Sequence, residues 1–294
     1  MSTKLLTRTR ERITTAVRNR VNGEDFATTP PVWQTPGDRW FTPADAIWRV
    51  HRDTSMFIGG IRALLMQSLH PTAMQAVSEH SGFRSDPWGR LQRTSQFINV
   101  TTYGTIGEAE AAIGKVDHIH RFIKGVTPEG EPYEASDPHL LGWVHVAETE
   151  SFLAAHQAFG AEPLSPERCD EYVAQTAVVA EKLGVRDAPR TRAELDELAM
   201  SYRLELRRTE AAVEAADLLL KHPPLPKSSL PAYQMLVQGA LALMPAWALA
   251  RLRLPYSPLR ELMAKPIAQT ACGTLRWAFA VDPSHTPPPP VDPN

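Results

Sequence analysis

The sequence predicts an all-α protein: a single globin-like, multi-helix domain with a Pro-rich disordered C-terminal tail. Three observations carry that prediction. Apolar residues recur at helical spacing along most of the chain, helix-starting and helix-stopping residues punctuate it at short intervals, and strand-like alternation hardly occurs. The 26 prolines among 294 residues fit the same scheme, because they are dispersed as stops between helices and cluster only at the end. The helical domain is expected over residues 25–283, after a basic arm or helix over 1–24 and before a tail over 284–294 too polar and Pro-rich to pack.

The elements follow in order. From Met56 to His70, Phe57, Ile58, Ile61, Leu64, Leu65 and Leu69 form one apolar stripe, and Pro71 breaks or restarts the helix. Asp86-Pro87 marks another helix start. Thr105-x-x-Glu108 reads as a capping box, with a helix running through Ile113, Val116 and Ile123 to Gly125. Pro128, Gly130 and Pro132 make Gly125–Ser136 the main internal loop. Asp137-Pro138 opens a helix from about His139 to Phe159, and Ser165-Pro166 opens one closed by Gly184. Thr191-x-x-Glu194 starts a long run that is expected to last to about His222. His222–Pro231 reads as a stiff linker. The apolar stretch Tyr233–Leu252, uncharged between Gly239 and Ala250, is shorter than the ~20 residues of a bilayer span and is interrupted by Pro245.

Composition excludes several classes. The chain carries 31 Lys and Arg against 33 Asp and Glu, a net charge of −2, which gives no electrostatic reason to expect a nucleic-acid partner. Two cysteines, Cys169 and Cys272, make neither a disulfide framework nor a zinc spacing. The basic start is followed by no apolar run of signal-peptide length, so a reducing, cytoplasmic setting is expected. Phosphate-binding loops, dinucleotide fingerprints, His-Glu-x-x-His, paired Glu-x-x-His and Gly-x-Ser-x-Gly are all absent. A helical protein without them still performs hard chemistry through a cofactor such as haem.

Three stretches are candidates for that chemistry. His145 sits mid-helix, with Leu141 and Phe152 on its face. It reads either as an iron ligand or as a core histidine satisfied by a backbone carbonyl. In DPWGRLQRTSQFI, Arg90, Arg93, Thr94 and Phe97 share one helix face. Two guanidiniums and a hydroxyl beside an aromatic ring would stabilise developing negative charge in a dry pocket. The other reading is a surface helix whose arginines pair with carboxylates or hold the propionates of a cofactor. In LLMQSLHPTAMQAVSEHSGFR, His70 reads as a capping or packing residue and Glu79 as a distal acid or base.

RALLMQSLHP, EHSGFRSDPWGRLQRTSQFI, the helix start at Gly104-Thr105, HRFIKG, YEASDPHLLGWVH and LPYSPLREL, in this order, resemble the catalytic-domain family of rubber oxygenase (latex-clearing protein) and mycophenolic-acid-pathway oxygenase. The resemblance spans about residues 40–280. It implies a globin-like fold holding one haem b, with His145 as the proximal iron ligand. It also implies a distal pocket of Arg90, Arg93 and Thr94, with arginine at 93 where the family has lysine, and Glu79 as the nearest counterpart of the family's distal carboxylate. Arg90 and Phe97 would contact the cofactor.

The expected function is therefore a haem b-dependent oxygenase that uses O₂ on an apolar small molecule with an alkene or activated C–H bond. Polyisoprene itself is not expected, because rubber cleavage takes place outside the cell. The sequence names no redox partner. A peripheral membrane contact would suit the basic start and the apolar Tyr233–Leu252 stretch. The alternative is a non-catalytic helical protein that binds haem or lipid as sensor, carrier or membrane-associated scaffold, which the long run from Thr191 to His222 would favour.

Overall fold

Asp137-Pro138 opens the helix around which the rest of the chain is arranged. In the computed structural model, which describes residues 31–82, 84–255 and 257–280 together with residues 8, 10, 14 and 15, the described residues form twelve α-helices and one two-stranded hairpin. In chain order these are α1 (Ala46–Arg52), α2 (Met56–Gln67), α3 (Pro71–His80), α4 (Pro87–Tyr103), α5 (Ile106–His120), β1 (Lys124–Val126) and β2 (Pro132–Glu134). Then come α6 (Pro138–Phe159), α7 (Pro166–Lys182), α8 (Arg192–Ser201), α9 (Glu210–Leu220), α10 (Leu230–Ala242), α11 (Ala246–Leu252) and α12 (Pro258–Phe279). The all-α class is therefore what the chain adopts.

The punctuation read from the sequence starts the helices where it should. Asp86, Asp137 and Ser165 each accept a backbone N–H of the first turn, with proline at the first helical position behind them. Thr105 and Glu108 form the reciprocal capping box. Gly184, at φ +108°, takes the left-handed conformation just past α7, where the Val185 N–H reaches back to the Ala180 carbonyl.

Three boundaries differ from the sequence reading. The run expected from Thr191 to His222 is broken. α8 ends in the 3₁₀ turn Tyr202–Leu204, and Thr209 caps a new helix by accepting the Ala212 N–H. Tertiary bonds hold that break open: the Tyr202 hydroxyl donates to the His139 carbonyl at 2.8 Å and the Arg207 N–H to the Leu69 carbonyl at 2.8 Å. The helix expected to reach Gly125 stops at His120. The loop expected over Gly125–Ser136 is instead an antiparallel hairpin pairing Gly125 with Tyr133. Tyr133 is buried, and its ring lies where a Gly125 side chain would be. Apart from residues 8, 10, 14 and 15, the N-terminal arm lies outside the described residues, as does the tail.

α6 is buried on both sides. Leu140, Trp143, Ala147 and Phe159 pack into a core with Ile58 and Leu65 of α2, Val237 of α10 and Ala268 of α12. Val146, Phe152 and Leu153 pack into a second core with Trp48 and Val50 of α1, Tyr103 of α4 and Tyr172 of α7. A helix with apolar residues on opposite faces is one enclosed by others, and α6 is that helix here. α2 reaches it closely through Gly59, where an added Cβ would stand 2.8 Å from Phe152 Cδ1 and 3.1 Å from Phe152 Cα.

One ion pair crosses that contact. Arg62 of α2, 1% exposed, donates from Nη1 and Nη2 to the two carboxylate oxygens of Glu150, both at 2.8 Å. Its Nη1 also reaches Ser151 Oγ at 2.6 Å, and its Nε the Leu243 carbonyl at 3.0 Å, just past the end of α10. One guanidinium thus binds α2, α6 and the α10–α11 turn. Removing one member of a buried pair leaves the other charge unpaired, at a cost of about 3–5 kcal/mol. Arg62→Met is expected to lose that much in urea unfolding, and Arg62→Met with Glu150→Met to recover much of it. A double variant less stable than the single would contradict this account.

Candidate functional site

His145 lies near the middle of α6, and its Nε2 is buried with no hydrogen-bond partner. Its Nδ1 is 3.4 Å from Thr149 Oγ1, one turn along the same face, and Thr149 Oγ1 is in turn 3.4 Å from Thr176 Oγ1 of α7. Burial pushes the His145 pKa down to about 4, so the imidazole is neutral near pH 7. A neutral ring with one nitrogen oriented by a neighbour and the other free inside the protein is the form in which histidine binds a metal.

The same face of α6 carries Glu148, three residues on. Its carboxyl pKa is raised by burial, against the opposing pull of a hydrogen bond from Gln67 Nε2, at 3.1 Å, and of the charge of Arg90. Arg90 of α4 is itself desolvated, which lowers its pKa, while Glu148 raises it and Arg93 lowers it. Gln67 is fixed from behind, because Trp143 Nε1 donates to its backbone carbonyl at 3.4 Å. α2, α4 and α6 thereby bring a neutral imidazole, a carboxyl with a raised pKa and a guanidinium to one region.

The remaining sequence candidates divide between inside and outside. Phe97 is half-buried on α4. Arg93 and Thr94 are exposed, and Arg93 pairs at 3.4 Å with Asp86, the N-cap of its own helix. Glu79, at the end of α3, is also exposed. It accepts from Gln75 Nε2 at 2.8 Å and from the Tyr133 hydroxyl, and these bonds hold its pKa below the ordinary carboxylate value. The structure joins Arg90 to the His145 face and gives Arg93 and Glu79 surface partners.

Sequence reasoning missed Glu148, Thr149 and Gln67. The signal was present for the first two, since 145, 148 and 149 fall on one helical face. Gln67 had none, because the last turn of α2 reaches α6 only through tertiary packing. It also missed His51 of α1, whose Nδ1 and Nε2 lie 2.8 Å from Thr102 Oγ1 and 3.2 Å from the Tyr172 hydroxyl, with Phe152 and Tyr172 edge-on to its ring.

An all-helical protein with a neutral, inward-facing histidine near a buried carboxyl and a desolvated guanidinium is the class these features define. The chain matches the family model described as "ER-bound oxygenase mpaB/B'/Rubber oxygenase, catalytic domain" over residues 48–277 and belongs to that family. The matched region contains His51, Gln67, Arg90, His145 and Glu148. Comparison with curated proteins and with solved structures finds no match. Among the described residues no single helix is long and apolar enough to cross a membrane. α10 with its preceding 3₁₀ turn and α11 pass by length and composition only as a pair bent by 117°.

His51 gives a pH dependence. Burial, then the nearby His156, pushes its pKa from 6.5 to about 3. The unfolded chain therefore takes up this proton first, so the contribution is intact above pH 6.5 and is lost as pH falls toward 3. The slope approaches about 1.4 kcal/mol per pH unit within that window. Urea unfolding across it should show a shallower slope for His51→Gln than for the wild type, and equal slopes would contradict the assignment.

Proposed function

We propose that the protein is a haem b-dependent oxygenase acting on an apolar small molecule with an alkene or activated C–H bond. The observation that carries the reading is the buried, unpartnered Nε2 of a neutral His145 in a chain of an oxygenase catalytic-domain family. The donor chemistry fits haem iron: one imidazole nitrogen is free, and the other is beside the Thr149 hydroxyl. When bound, haem supplies the oxygen activation that no side chain provides.

The chain's own residues supply the rest. Arg90 is a fixed cation in a desolvated position, where it favours negative charge that develops nearby. Glu148 holds a proton to higher pH than an ordinary carboxyl, which suits it to give and take one during turnover, with Gln67 holding it in place. That role was expected of Glu79, whose hydroxyl and amide donors favour the ionised form. Arg93 and Thr94 are exposed one turn on from Arg90, and Phe97 is half-buried a further turn along α4. A peripheral membrane contact suits the proposed apolar substrate. Leu259, Leu262 and Met263 form an exposed apolar ridge on α12 that supports it.

The alternative, a helical haem or lipid binder without catalysis, loses the long Thr191–His222 helix that favoured it, because that run is broken. The absorption spectrum and oxygen uptake decide between the two. The purified protein, loaded with haem, should show a Soret band that His145→Ala abolishes or shifts. Arg90→Ala should retain the band and lose about 100-fold or more of alkene-dependent oxygen consumption. No Soret band after haem addition would overturn the haem assignment, and a wild-type rate in Arg90→Ala would overturn the role of Arg90.

A further inference from the structure

Away from the His145 face, three segments distant in sequence bring a second donor set together. His70 is the N-cap residue of α3 and 4% exposed. His139 is the second residue of α6, and Glu205 follows the 3₁₀ turn Tyr202–Leu204. Glu205 Oε2 is 2.8 Å from His139 Nε2 and 3.4 Å from His70 Nε2. One ligand atom from each residue lies within 4.8 Å of the other two.

The sharpest observation is His70. Its Nδ1 lies 3.1 Å from Thr72 Oγ1, while its buried Nε2 makes no hydrogen bond although it faces a carboxylate oxygen. With the ring proton on Nδ1 and donated to Thr72, Nε2 presents a lone pair to Glu205. In that tautomer two lone-pair donors stand 3.4 Å apart and repel unless a cation lies between them. A tetrahedral ion with bonds of about 2.0–2.1 Å places its ligand atoms roughly 3.3 Å apart. The two distances to Glu205 bracket that value, and the two imidazole nitrogens, within 4.8 Å of each other, close on the ion by side-chain rotation.

The surroundings hold the ligands as a binding site requires. Thr72 orients His70 through Nδ1. The His139 ring lies 4.6 Å from the Tyr202 ring at 32°, and the Tyr202 hydroxyl donates to the His139 carbonyl at 2.8 Å. The Arg207 N–H donates to the Leu69 carbonyl at 2.8 Å and docks the Glu205 segment beside His70. His139 and Glu205 are half exposed, which gives an ion a path from solvent and leaves a coordination position for water.

We infer that His70 Nε2, His139 Nε2 and a Glu205 carboxylate oxygen form a binding site for one divalent transition-metal ion of the Zn²⁺ class, separate from the site around His145. Such an ion ties the α2–α3 junction and the segment after α8 to the first turn of α6, the helix that carries His145. Two imidazoles and one carboxylate suit borderline ions such as Zn²⁺ and Co²⁺, and disfavour Ca²⁺ and Mg²⁺, which take oxygen ligands.

The test is titration of the untagged full chain, cleared of metal with a chelator, with ZnCl₂ by calorimetry and with CoCl₂ by visible absorption. One Zn²⁺ per chain is expected, with the intense visible bands of four-coordinate Co²⁺ and a higher unfolding temperature in Zn²⁺. His139→Ala and Glu205→Gln, both at half-exposed positions, should each weaken Zn²⁺ binding at least about 10-fold, with the far-UV circular dichroism of the wild type. A wild type without a stoichiometric site, or a double variant that binds Zn²⁺ as the wild type does, would overturn the inference. The Soret band of the haem-loaded protein is expected to be the same in both variants, so failure here and failure of the haem reading give different results.

Discussion

The buried pairing of Arg62 with Glu150 is the constraint on which the architecture turns. A helix that packs apolar residues into two cores on opposite faces has its orientation specified only weakly by burial alone. A charge pair that must be satisfied in full sets that orientation. Arg62 is held by both Glu150 oxygens, by Ser151 Oγ and by the Leu243 carbonyl, and rotating or sliding α6 would break its three bonds to Glu150 and Ser151. At about 100° per residue, Glu150 points roughly 140° away from His145. Fixing Glu150 on α2 therefore aims the 145/148/149 face toward Gln67, Arg90 and Thr176.

The two carboxyls of α6 show how environment divides roles. Glu150 is held by a fork of two guanidinium donors and serves as a structural anchor. Glu148 receives an amide donor from Gln67 and feels the charge of Arg90, yet burial still raises its pKa. Two carboxyls two residues apart thus face opposite sides of one helix, and burial raises the pKa of Glu148, the one on the His145 face.

Much of this was legible in the sequence wherever the cause is local. Asp86, Thr105, Asp137 and Ser165 each start a helix through their own first turn, so the start can be read from a few residues. The all-α class and the placement of His145 inside α6 follow from those starts and from the apolar spacing. What was not legible depends on partners far along the chain. The break after α8 needs Leu69 and His139 as acceptors, and the hairpin needs a socket for Tyr133. Arg62, inside the stripe read as apolar, gave no sign of its partner Glu150 in its own neighbourhood. Arg90 and Arg93, equivalent in a helical projection, separate in the fold because Asp86 at the start of α4 takes the second one.

The proposed haem reading rests on one chemical assignment, His145 Nε2 as the iron ligand, in a chain of the oxygenase family whose His145 Nε2 is buried and unpartnered. Its most direct test is to replace His145 with Gly and add free imidazole to the haem-loaded protein. The variant's ferrous spectrum is expected to differ from that of the wild type and to be restored by millimolar imidazole, because the ligand is regained without the side chain's tether to α6. A ferrous spectrum in His145→Gly identical to the wild type before any imidazole is added would show that another residue holds the iron and would contradict the account.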